Sequence, residues 1–130
     1  MKNDIESVVK DVRKSLESIW DDSTRYPKYK RPEGVTSNSA GQCGPSSVLL
    51  FKKLSSKFKN EKFSVAVGRV YSAGQERVIG KHVWVVWHKD YPSDSWVIDI
   101  TFDQTKDNPK EYIFGSIQSL NDDDIFYQAY

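Results

Sequence analysis

The sequence predicts one α+β domain, with two helices ahead of a small antiparallel sheet. Three observations predict it. Apolar residues recur at offsets of three and four between Asn3 and Trp20, and again between Pro45 and Phe58, which is the helical period. From Lys62 to Phe102 the period drops to two, and Val and Trp become frequent. Short turns separate those strand segments, as an antiparallel meander requires. A length of 130 residues encloses one core and not two, so a single domain is expected over 1–130.

The first helix is read from Ile5, Val8, Val9, Val12, Leu16, Ile19 and Trp20, which share one stripe. Asn3 and Glu6 have the spacing of a capping pair, and Lys10, Arg13, Lys14 and Glu17 are assigned to the solvent face. Pro27, Pro32 and Gly34 break the pattern between Asp21 and Gly41. An irregular stretch of that length inside a compact domain tends to be functional or mobile, and this one leads into a cysteine. Pro45 suits the first turn of the second helix, where its missing N–H costs nothing. Val48, Leu50, Phe51, Leu54 and Phe58 give its apolar stripe, and Lys52, Lys53 and Lys57 favour its C-terminal end. Strands are predicted over Lys62–Tyr71, His82–Trp87 and Trp96–Phe102, with a turn inside Ser72–Gly80 and another at Tyr91–Asp94. In the tail, a short helix is expected within Glu111–Leu120, and Ile125–Tyr130 is expected to pack back on the sheet.

Composition narrows the functional classes. Hydrophobic residues make up 38% and charged ones 28%, which is globular rather than disordered. Nineteen basic side chains against 18 acidic ones leave a net charge of +1, so no overall field draws the chain to nucleic acid or anionic lipid. The local group Lys28, Lys30 and Arg31 reads as a solvated loop. No apolar run of about 18 residues exists to span a membrane, and Met1–Lys10 lacks the basic-then-apolar pattern of a secretory signal. A single cysteine forms no intrachain disulfide, and together these features predict a cytoplasmic protein. One Cys and two His fall short of a four-ligand zinc site, and Asp122–Asp124 reads as solvated surface, so no metal or other cofactor is expected.

The chemistry-bearing residues are few. Cys43 lies between a glycine-rich approach, Gly41-Gln42, and a helix start. A thiol there feels the positive end of the helix dipole, which favours the reactive thiolate, and nearby backbone N–H groups are available to an oxyanion. The bland alternative is a small buried hydrophobe. His82 stands at the start of the strand Lys81–Trp87 and supplies a base that titrates near neutral pH. The competing reading is a strand-end His without a role. His88 shares its strand face but stands about 20 Å away, and reads as a solvated strand end. Asp99 interrupts the apolar run Trp96–Ile100. A carboxylate there is costly to bury unpaired, and an imidazole on the neighbouring strand would relieve that cost and gain a fixed tautomer. Its alternative is an edge Asp facing water. Asp94 and Asp103 are weaker candidates at turns or strand ends. Gln42 is either an oxyanion donor or an ordinary loop residue, and Trp84 is the candidate for substrate contact.

These residues carry a resemblance. Gly41-Gln42-Cys43 heading a helix resembles the Gly-Gln-Cys of transglutaminase-like proteins. His82-Val83-Trp84-Val85-Val86 resembles their His-Ala-Trp-Val-Glu strand, and Ser95–Thr101 resembles their Gly-Trp-x-x-x-Asp-x-Thr strand. The ordered set spans about half the chain, Gly41 to Thr101. Within that group it is most similar to small bacterial proteins of the YunG type, whose Asp-Gln pair after the Asp strand is matched by Asp103-Gln104. The resemblance implies a papain-like fold with a transglutaminase-like core and a Cys-His-Asp triad. It implies acyl transfer or hydrolysis at an amide of a protein or small-molecule substrate, and it leaves protease, deamidase and transglutaminase chemistry open. A non-catalytic interaction module that kept the fold is the alternative. Arylamine-type acetyl transfer needs a larger chain, and a redox-sensing thiol needs neither His nor Asp.

Overall fold

The computed structural model describes residues 1–17, 43–72, 77–100 and 112–130. Helices α1 (Lys2–Glu17) and α2 (Cys43–Lys57) precede strands β1 (Lys62–Ser72) and β2 (Arg77–His88). A single 3-10 turn at Pro92–Asp94 leads to β3 (Trp96–Asp99). The tail forms β4 (Ile113–Ser116), α3 (Ile117–Asp122) and β5 (Ile125–Ala129). The fold class is α+β. The sheet order is β4-β3-β2-β1-β5, and each neighbouring pair is antiparallel.

The period-two pattern explains how one sheet serves two cores. Val85, Trp87, Ile98 and Phe63 point to one face, where Ile5, Val8, Val9, Val12 and Leu16 of α1 and Leu50 and Leu54 of α2 cover them. Trp84, Val97, Ile113 and Val70 point to the other, packed with Leu120 of α3. The apolar stripe of α1 is therefore buried as its spacing demands. Arg13, assigned by sequence to the solvent side, is instead 5% exposed, and its Nη1 donates to the Ile100 carbonyl at 2.6 Å. A long Arg stem lies along apolar surface while its charged end satisfies a carbonyl just past the end of β3.

Three local expectations change. The first helix already includes Lys2, and the Ile5 N–H bonds to the Met1 carbonyl, so Asn3 sits inside the helix rather than capping it. The second helix starts two residues before Pro45, at Cys43. In the tail, the helix begins only at Ile117, because Ile113 and Phe114 are needed on opposite faces of the sheet as β4 pairs with β3. Ser116 ends that strand and caps the helix, its side chain accepting from the Ser119 N–H at 3.1 Å. Ile125–Ala129 does return to the sheet, as the β5 neighbour of β1.

Gly68 fixes how closely β5 approaches. It stands opposite both His82 on β2 and Ala129 on β5. A Cβ there would collide with the Gln128 carbonyl oxygen and lie 2.7 Å from the Ala129 Cα, so only glycine fits without moving backbone. Beyond Gly68 the β1–β2 register shifts, with one extra β2 residue between Ile79 and His82. Such a bulge sharpens the local twist beside His82.

Candidate active site

His82 lies in the interior of β2, rather than opening the strand as the sequence suggested. Its Nε2 is 2.7 Å from Asp99 Oδ2, and both side chains are fully buried. An ionised carboxylate only accepts, so the imidazole donates through Nε2–H. The neighbouring strands β2 and β3 pair through Val85↔Ile98, which places Asp99 one position off the end of that ladder, diagonal to His82 on the same face.

A third group joins the cluster. Tyr127 Oη donates to the same Asp99 Oδ2 at 2.6 Å. Tyr127 belongs to β5, three strands from β3 in the sheet order. Strand spacing of about 4.8 Å puts them roughly 14 Å apart in a flat sheet, more than the two side chains can span. The bond therefore requires a curled sheet, with these three residues on the concave face. Trp84 fills the space between, its ring edge-on to Tyr127 at 4.9 Å and stacked near His82 at 6.2 Å. Trp84 is 2% exposed, so it supports the dyad rather than offering a substrate surface. Burial, the Asp99 charge and the hydrogen bond to Asp99 all push the Tyr127 phenol well above its ordinary value, which keeps it protonated and donating. The residue as a whole is half-buried, but its hydroxyl end is enclosed by protein.

The start of α2 is moored to the strand residue that follows His82. Pairing of β2 with β3 covers Val85 to Trp87. At Val83 that ladder has ended, and the Val83 carbonyl accepts from Ser47 Oγ at 3.1 Å. Ser46 and Ser47 are both buried. Cys43 is the first residue of α2, one turn or about 6 Å ahead of Ser47 along the axis. Helix α2 packs on the face of Val85 and Ile98, His82 and Asp99 stand on the other face with Trp84, and the Ser47 bond ties the first turns of α2 to the backbone of the residue after His82. Gly44 adjoins open space, since a Cβ there would meet nothing within 4 Å.

The other sequence candidates fall elsewhere. Gln42, Asp103 and Gln104 lie outside the described residues. His88 is at the far end of β2, where its Nε2 is 2.6 Å from Ser64 Oγ, and it is half-buried rather than freely solvated. Asp94 is exposed in the 3-10 turn. A groove of about 920 Å³ also lies at that far end, lined by Glu61, His88, Lys89, Asp94 and Trp96, and takes in neither His82 nor Asp99. Among the described residues no three His, Cys, Asp or Glu side chains gather as a metal site. Among them, too, no helix is long and apolar enough to cross a membrane.

Tyr127 is the residue the sequence reading missed, having assigned the tail aromatics chiefly to packing. A signal existed. A carboxylate has about four lone-pair sites and one histidine fills one of them, so a buried Asp99 needs further donors. A tyrosine carries both the apolar body and the polar tip for that position. No protein-family model, curated protein or solved structure matches this chain.

Proposed function

We propose that this chain is a cysteine-dependent enzyme of papain-like, transglutaminase-like type, acting on an amide by acyl transfer or hydrolysis. The observation that carries the reading is the buried His82–Asp99 bond at 2.7 Å, one residue along β2 from the Val83 carbonyl that holds α2, the helix that begins at Cys43. Asp99 takes Nε2, so Nδ1 is the ring nitrogen that serves the thiol. His82 accepts the Cys43 proton, and the thiolate attacks the amide carbonyl carbon. The oxyanion is held by N–H groups at the first turn of α2, where Pro45 contributes none. The imidazolium, stabilised by Asp99, protonates the departing amine or ammonia and leaves a thioester on Cys43. Water or an amine, deprotonated by His82, then releases the acyl group. The substrate is a protein or small amide, and water as acceptor makes the enzyme a deamidase or amidase.

The second reading is a non-catalytic interaction module. Zero exposure of both His82 and Asp99 favours it, because a satisfied buried pair also serves as a structural element. Iodoacetamide alkylation of Cys43 against pH separates the two. A catalytic pair gives an apparent thiol pKa well below the free value of about 8.5, lost in His82→Ala. Identical profiles in the two proteins remove the thiol–imidazole pair and leave the module.

A further inference from the structure

We infer that Tyr127 is a positioning residue of the catalytic site, acting on His82 through Asp99. The inference rests on the triad reading and adds a fourth member delivered by the last strand. Three observations carry it. The phenol bonds the very oxygen, Oδ2, that receives His82 Nε2. Tyr127 reaches it only because the sheet curls, and Gly68, opposite His82 and Ala129 alike, permits the close β5 approach behind that curl. Trp84 touches both Tyr127 and His82, so the three rings and the carboxylate form one packed unit.

The physical role follows from the shared oxygen. A hydrogen bond donated to a carboxylate favours its charged form and fixes its rotamer. The phenol thereby holds Oδ2 of Asp99 aimed at Nε2 of His82. Tyr127 acts through Asp99 rather than on the substrate. Of the described titratable groups, His82 comes from β2 and Tyr127 from β5, while β1 and β4 bring Gly68 and Ile113 opposite the dyad residues. Arg13 of α1 is engaged one residue further on, at the Ile100 carbonyl.

The test uses the pH profile of Cys43 alkylation on the full chain. In Tyr127→Phe the acid limb should move up by about one pH unit, so the rate near pH 6 falls about tenfold while the rate above pH 9 is unchanged. In an Asp99→Asn background the same substitution should add nothing, because the effect travels through the carboxylate. Should Tyr127→Phe fail to fold, 3-fluorotyrosine at position 127 alone carries the test, since it keeps ring and hydroxyl while changing donor strength: a moved limb supports the role and an unmoved one overturns it. An unshifted Tyr127→Phe profile beside a shifted His82→Ala profile overturns the role of Tyr127 and leaves the triad standing. If His82→Ala itself matches wild type, the triad reading is what fails, and Tyr127 has no site to position.

Discussion

The two faces of the sheet are built from the same strands and do different work. The face under α1 and α2 is closed by aliphatic and aromatic side chains, with Val9, Leu50, Leu54, Val85 and Ile98 at 0% exposure. The concave face is also buried, yet it encloses an imidazole, a carboxylate and a phenol in one hydrogen-bonded chain. Apolar packing is non-directional and tolerates small adjustments of shape. A buried polar chain tolerates little, because each unmet group loses the hydration it had in water. One face is held by shape and the other by directed hydrogen bonds, and period-two alternation along β2 and β3 keeps them apart.

Substitutions should break the two faces in different ways. The largest effect is expected from Asp99→Ala, which strands His82 and Tyr127 without their shared acceptor. Unfolding in urea should report a loss of about 3–5 kcal/mol. Asp99→Asn, which keeps the shape and an acceptor oxygen, should lose much less, and equal losses would mean that charge and hydrogen bonding at Asp99 contribute little. Leu54→Ala on the apolar face should cost about 2–5 kcal/mol, depending on how far the site collapses. That variant should leave the pH profile of Cys43 alkylation unmoved. A shifted profile would show that the two faces are coupled.

Smaller effects sharpen the comparison. Tyr127→Phe should cost about 1.5–3 kcal/mol at pH 7, the range for a hydrogen bond to a charged group. Its dependence on pH has a definite sign. The phenol is held well above its ordinary value in the folded protein, so the folded state binds more protons than the unfolded one above about pH 10. Stability from this group is intact below that pH and falls as pH rises toward the folded value, by about 1.4 kcal/mol per unit for one proton. Stability curves at pH 9 to 11 should therefore be flatter in Tyr127→Phe by one proton, and parallel curves would deny the buried phenol. The least effect on folding is expected from Cys43→Ser, which should keep the unfolding midpoint while ending turnover of any amide substrate. A large loss of stability instead would make Cys43 a packing residue.

The sequence by itself determined the elements that depend on local period and composition. The stripe of α1 and the β1 and β2 alternation needed only spacing, because each must bury one face. The pairing of His82 with Asp99 was also legible, since a carboxylate amid Ile and Val requires a partner and the neighbouring strand offered one. Tertiary structure alone decided the rest. Arg13 went inside because the Ile100 carbonyl awaited it, Ile113–Ser116 became strand because β3 had an open edge, and Tyr127 reached Asp99 because the sheet curled. Those outcomes depend on where distant segments meet, and no local period of the chain encodes a meeting between β5 and β3.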